Sequence, residues 1–225
     1  MTPKQRAGEA ALGYIKDGMA VGLGTGSTAK LFIDALGAAL RAGKIKNIRG
    51  IPTSVRSEEQ AKQLGIPLTD FAETATLDVT VDGADEVGPG MNLIKGLGGA
   101  LLREKLVAQN SRKLVIVADD SKKVAALGTK SPLPVEVTQF SHEASERFLR
   151  GLGCTPTLRK TETGANYVTD NGNFIYDCRF ARIDDPRALQ ENLSQRAGIV
   201  ETGLFLDMAD VVLLAGIDAV ETLKR

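Results

Sequence analysis

Leu77-Asp78-Val79-Thr80-Val81-Asp82-Gly83-Ala84-Asp85-Glu86 is the stretch on which the fold turns. Its opening residues are few and partly β-branched, so they read as a strand, with Asp82-Gly83-Ala84-Asp85-Glu86 at the strand's carboxyl end. In an open α/β sheet, ligands gather at that end. Close behind comes Lys95-Gly96-Leu97-Gly98-Gly99-Ala100-Leu101-Leu102-Arg103-Glu104-Lys105. A lysine and three glycines lead there into Leu101, Leu102, Lys105 and Leu106 at helical spacing. That order puts pliable backbone amides at a helix amino terminus, which attracts anions.

Asp82 and Asp85, then Lys95, then Glu104 supply a candidate acid, base and electrophile within about 23 residues. Such a set suits proton transfer beside a carbonyl. A plain solvated turn with surface charges is the alternative. It leaves the glycines unexplained, since each costs roughly 0.5–1 kcal/mol in chain entropy unless a close backbone approach needs it.

Working outward, residues 4–14 carry Ala7, Ala10, Ala11 and Tyr14 at helical spacing, and residues 19–23 read as a first strand. That strand delivers Gly24-Thr25-Gly26-Ser27-Thr28 into a helix over 29–42, a loop suited to holding a phosphate. Gly22-Leu23-Gly24 resembles the start of a dinucleotide fingerprint, but Ser27 stands at the third glycine position. The next strand, 48–51, ends in Pro52-Thr53-Ser54 where a ribose-binding acid is expected, so NAD is disfavoured. A helix over 57–64 capped by Ser57 with Gln60, a helix to about 110 and a strand over 113–118 continue the alternation. The pattern predicts a mainly parallel, Rossmann-like α/β sheet with helices on both faces.

Lys130-Ser131-Pro132-Leu133-Pro134 reads as a boundary. Beyond it the pattern is strand 134–138, helix 141–152, strand 155–159, strand 173–178, helix 186–195 and strand 199–204. This is the β-α-β-β-α-β order of a small ferredoxin-like α+β unit. A strand over 210–215 and a tail helix over 217–224 read as the first domain resuming. The expected organisation is 1–130 with 205–225 as the α/β catalytic domain, and 131–204 as the insertion.

Basic and acidic residues balance at 28 each, so no global attraction to nucleic acid or to a membrane surface is expected. The apolar run 211–217 is far short of a bilayer span and the amino terminus lacks a signal pattern, so a cytoplasmic address is the default. Cys154 and Cys178 lack metal-site spacing and read as reduced thiols. His142 is the sole histidine and reads as a helix-start residue, so no metal site is expected.

The two central motifs with the 24–28 loop resemble ribose-5-phosphate isomerases of type A. The resemblance extends to Ile51-Pro52-Thr53-Ser54, Val117-Ala118-Asp119-Asp120-Ser121-Lys122 and Gly198-Ile199-Val200-Glu201-Thr202-Gly203. It implies interconversion of ribose 5-phosphate and ribulose 5-phosphate through a cis-enediolate, with no metal or organic cofactor. Under it Glu104 is the base that moves a proton between C2 and C1. Asp82, with Asp85 beside it, assists ring opening and hydroxyl proton transfer, and Lys95 stabilises the enediolate oxygen. Thr25, Gly26, Ser27, Thr28, Lys122 and Lys4 hold the sugar phosphate, and Gly83, Ala84, Gly96, Leu97 and Gly98 complete the binding set. The implied protein is a cytoplasmic homo-oligomer, dimer or tetramer, that takes a small sugar phosphate and neither nucleic acid nor membrane.

Leu97 and Leu102 depart from the family pattern, in which glycine and a small or polar residue are common. Since Gly96, Gly98 and Gly99 remain, Leu97 is expected to take an ordinary φ. Two other readings belong to related folds. A sugar-phosphate sensor would need a DNA-binding domain, for which 225 residues leave no room. A CoA transferase would use Glu104 as nucleophile, against which the Asp82, Asp85 and Lys95 set speaks.

Overall fold

The computed structural model describes residues 1–225. In chain order the elements are α1 (Pro3–Ala11), β1 (Ala20–Leu23), α2 (Ser27–Arg41), β2 (Arg49–Pro52), α3 (Val55–Gln63), β3 (Val79–Gly83), β4 (Glu86–Val87) and β5 (Leu93–Ile94). There follow α4 (Leu101–Gln109), β6 (Leu114–Asp119), β7 (Leu133–Val137), α5 (His142–Gly151), β8 (Thr155–Leu158), β9 (Phe174–Arg179) and α6 (Pro186–Ser194). The chain ends with β10 (Ile199–Thr202), β11 (Leu204–Phe205), β12 (Val211–Ala215) and β13 (Val220–Lys224). It divides into two compact units, Met1–Ala84 with Arg103–Lys123 and Met208–Arg225, and Asp85–Leu102 with Val124–Asp207. The second unit thus takes in 85–102 and 124–130 as well as the whole stretch expected over 131–204.

The first unit is built on a six-stranded sheet in the order β13-β12-β6-β3-β1-β2. All its neighbours are parallel except β12 and β13. Alternate residues Val21, Leu23, Val79, Val81, Val115, Val117, Val211 and Leu213 pack with Ala7 and Ala11 of α1 and Phe32, Ile33 and Leu36 of α2. Ala20, Ile51 and Leu77 pack separately with Val107 of α4. Both faces are covered, which is why the strands read as near-continuous apolar runs. Because β1, β2, β3 and β6 run parallel, the segments that follow them leave from one edge of the sheet.

Two local expectations are corrected here. The stretch 217–224 holds no helix: after a turn, Val220–Lys224 forms β13, an edge strand, with Val220 opposite Ala215 and Lys224 opposite Val211. The turn is closed by the Gly216 amide donating to Ala219 O at 2.9 Å. The β-branched Val220 and Thr222, with the charges of Glu221 and Lys224, suit a guarded sheet edge. Helix α3 begins two residues before Ser57 and is capped by Ser54, which accepts the Ser57 amide from an extended backbone. The Ser57 hydroxyl instead donates to Gly24 O at 2.7 Å.

The second unit holds a four-stranded antiparallel sheet in the order β10-β7-β9-β8. With α5 and α6 this is the ferredoxin-like arrangement. Val135, Val137, Phe174, Tyr176 and Cys178 form its core with Leu149 of α5 and Leu193 of α6. The cysteines are free and buried. His142 opens α5, and its Nδ1 lies 2.7 Å from Tyr176 Oη.

The strand expected over 199–204 breaks at Gly203, beyond which β11 joins a separate three-stranded sheet, β11-β5-β4. Gly203 donates its amide to Pro134 O at 2.8 Å and accepts the Lys95 amide at 2.9 Å. A Cβ there would lie 2.3 Å from Lys95 O and 2.8 Å from Pro134 Cδ. Only glycine lets the three backbones meet. No helix is long and apolar enough to cross a membrane.

Candidate active site

In the first unit, β3 delivers Asp82 beside the loop that follows β1. Asp82 is 1% exposed. Its Oδ1 accepts the Thr25 amide at 2.9 Å and the Gly83 amide at 2.7 Å. Two amide donors on one oxygen fix the direction of the carboxylate. Gly24 makes the approach possible, since a Cβ there would lie 2.3 Å from Asp82 Oδ1.

The loop itself is braced from below. Thr25 Oγ1 lies 2.7 Å from Thr53 Oγ1, 2.8 Å from Ser54 Oγ and 3.2 Å from Ser57 Oγ. Thr53 in turn bonds Leu23 O through its amide at 2.9 Å and its hydroxyl at 3.1 Å. The Thr25 hydroxyl therefore serves an internal network. Gly26, at φ 109°, turns the chain into α2 and leaves Ser27 exposed at the helix amino terminus. Lys4 Nζ, from the first turn of α1, donates to Ser27 Oγ at 3.0 Å. Two candidate phosphate ligands 23 residues apart thus meet, and a cation stands beside a helix start. Thr28 is buried, and Lys122 is half-buried at the end of the short 3₁₀ turn Asp120–Lys122 that follows β6. Glu104 sits in the first turn of α4 and is 2% exposed.

In the second unit, Asp85 Oδ2 accepts the Leu97 amide at 2.9 Å. Lys95 is 2% exposed, and its Nζ lies 5.2 Å from the centre of the Phe205 ring. A ring face stabilises a desolvated ammonium by roughly 2 kcal/mol. Gly96 and Gly99 take φ of 100° and 83°, and the Gly99 amide closes the turn on Gly96 O at 2.9 Å. Leu97 is not among the residues with positive φ, so its side chain carries no backbone strain. Glu86, fully buried next to Asp85, accepts the amides of Gly128 at 2.7 Å and of Lys130 and Ser131 at 2.6 Å each. No group of three His, Cys, Asp or Glu side chains is gathered in metal-binding geometry.

The sequence profile of ribose 5-phosphate isomerase A (phosphoriboisomerase A) matches residues 49–219. The chain belongs to that family. Relatives named ribose-5-phosphate isomerase A include one from Desulfatibacillum aliphaticivorans, 50% identical over 98% of this chain and 96% of its own length. Another, from Synechococcus sp., is 48% identical over 99% and 96%. The solved ribose 5-phosphate isomerase of Plasmodium falciparum superposes with a TM-score of 0.96 at 38% identity, over 99% of this chain and 98% of that one. A solved D-ribose-5-phosphate isomerase in complex with phospho-erythronic acid gives 0.96 at 39% identity over the same shares.

Within this isomerase fold, some partners of the candidate residues carry no local sequence signal. Phe205 under Lys95 and Arg159 against the glycine turn lie 110 and 63 residues away from what they touch. Glu86 was visible in the motif, but its three amide donors come from a loop more than 40 residues on.

Proposed function

We propose that this chain interconverts D-ribose 5-phosphate and D-ribulose 5-phosphate through a cis-enediolate, with Glu104 as the base. It is an aldose–ketose isomerase of the non-oxidative pentose phosphate route. The observation that carries the reading is a set of charged side chains kept almost wholly out of water, Asp82, Lys95 and Glu104 at 1–2% exposure, in a chain of this family. Burying a charge is expensive, so its retention marks chemistry more often than stability.

The steps follow from the groups. The phosphate is held at the Gly26-Ser27-Thr28 helix start with Lys4 and Lys122. Asp82, with Asp85, moves the hydroxyl protons that open the ring. Glu104 removes the proton from C2, Lys95 offsets the charge growing on the carbonyl oxygen, and Glu104 returns the proton to C1. Gly83, Ala84, Gly96, Leu97 and Gly98 line the sugar through backbone. A relative solved with phospho-erythronic acid, an open-chain polyol bearing a phosphate and a carboxylate, supports a site shaped for a phosphorylated, anionic intermediate. The reading includes no metal or organic cofactor, a homo-oligomer (dimer or tetramer) and a cytoplasmic address.

The test is an assay of chelator-treated protein with ribose 5-phosphate, following ribulose 5-phosphate, with unphosphorylated ribose as comparison. Turnover of the phosphate at an enzymatic rate is expected. No turnover, or equal turnover of both sugars, would overturn the reading.

A further inference from the structure

The β8–β9 hairpin of the second unit carries a half-buried arginine whose contacts no step above uses. Arg159 grips Asp177 with its fork, Nε to Oδ2 at 2.9 Å and Nη2 to Oδ1 at 2.5 Å. The pair is 12% and 23% exposed. The remaining nitrogen, Nη1, donates to two successive carbonyl oxygens of the glycine turn, Gly96 O at 3.2 Å and Leu97 O at 3.1 Å. The guanidinium also lies 5.7 Å from the centre of the Tyr167 ring, and the Tyr167 amide donates to Arg159 O at 2.9 Å. Tyr167 in turn crowds the end of the same turn: a Cβ on Gly99 would lie 2.1 Å from its Oη.

An ion pair meant only for stability would not need its third nitrogen on this backbone. Gly96 and Gly99 sit at positive φ and Gly98 has no side chain, so the turn's peptide planes are its loosest feature. All peptides here are trans, so a carbonyl held on one side sends the N–H of the same peptide to the other. Holding Gly96 O sets the Leu97 amide, which meets Asp85. Holding Leu97 O sets the Gly98 amide. A guanidinium on the oxygen also polarises the peptide and strengthens its N–H as a donor.

We infer that Arg159, aligned by Asp177, is a positioning residue for the isomerisation: it fixes and polarises the peptides that carry the Leu97 and Gly98 amides, and so sets the direction of the donors that the turn offers to Asp85 and to the sugar. The inference rests on the isomerase reading and on the glycine turn being part of its site.

The experiment compares the parent with Arg159→Met, Arg159→Lys and Asp177→Asn, measuring kcat, KM for ribose 5-phosphate and melting temperature. Misaimed donors weaken the transition state more than the ground state, so Arg159→Met is expected to lower kcat roughly 10- to 100-fold with KM within about threefold. Added guanidinium chloride at non-denaturing concentration is expected to restore part of that kcat, where sodium chloride at equal ionic strength does not. Arg159→Lys keeps the charge but not the fork and should fall between. A folded Arg159→Met with kcat near the parent's and only a lower melting temperature would overturn the inference while leaving the isomerase reading standing. If Arg159→Met does not fold, Asp177→Asn decides: a lower kcat at near-constant KM supports the inference, and parent-like kinetics overturn it. A parent without isomerase activity would overturn both.

Discussion

The amide of Thr25 donates to Asp82 Oδ1 at 2.9 Å, so the carboxylate at the end of one strand is tied to the loop that follows its neighbour. The bond aims the acid and shapes the loop at once. It depends on the absence of a side chain at 24, where a Cβ would fall 2.3 Å from the same oxygen.

Gly24→Ala is therefore expected to harm activity and stability together. Overpacking of this kind costs roughly 1–3 kcal/mol, and the shift of Asp82 should lower kcat in whatever protein remains folded. Urea denaturation read beside steady-state kinetics checks both. An alanine variant with parental stability and parental kcat would show that the two strand ends are not coupled.

Glu104→Gln keeps the shape of the side chain but removes the carboxylate proposed as proton acceptor. Turnover should fall by about 10²-fold or more, with little change in substrate affinity. Incubation with ribose 5-phosphate in deuterated water, followed by NMR, reads exchange at C2 directly. Exchange persisting near the parent rate would transfer the role of base to Asp82 or Asp85.

At the proposed phosphate site, Ser27→Ala and Lys4→Met remove the two partners of the 3.0 Å contact. Each should raise KM for ribose 5-phosphate by a factor corresponding to roughly 1–3 kcal/mol while kcat changes less. Comparing the phosphorylated and unphosphorylated sugar checks the assignment, because the preference for the phosphate should narrow in both variants.

Alkaline pH offers a test away from the site. Burial first, and then the neighbouring Glu146 carboxylate, push the Tyr176 phenol up to about 12. A raised folded value means that its stabilising contribution is complete below the unfolded value near 10 and is lost as pH climbs toward 12. The amount is on the order of 2–3 kcal/mol. The difference in urea stability between the parent and Tyr176→Phe, followed from pH 9 to 11.5, should shift in the variant's favour as pH rises. A pH-independent difference would refute the linkage.

How much of this was legible in the sequence depends on the range of the interaction. The Val-rich strands of the parallel sheet and the β-α-β-β-α-β insertion announce themselves, because a run of alternating apolar residues is a local property. The last strand misleads for the same reason. Ile217, Val220 and Leu223 recur every third residue as on a helix, but Ile217 falls in the turn and pairing with Val211–Ala215 makes Val220–Lys224 a strand. Strands β4 and β5 have two residues each, too few to show any period. Ser57 reads as a cap, but its hydroxyl is occupied by the carbonyl of Gly24, 33 residues away, and Ser54 takes the cap instead. Among the site residues, the motif letters were readable, whereas Phe205, Arg159 and Asp177 were ordinary letters until the fold brought them to the turn.

Gly203 carries a warning for anyone who would map this protein by mutation alone. It has no chemistry to offer a sugar, yet three backbones pass through the space that any other side chain would fill. A saturation library scored by growth or by total activity would mark position 203 as intolerant as Glu104 and invite its inclusion in the catalytic set. Only a screen that separates the amount of folded protein from its rate per molecule would tell a crossing point of the chain from a participant in the reaction.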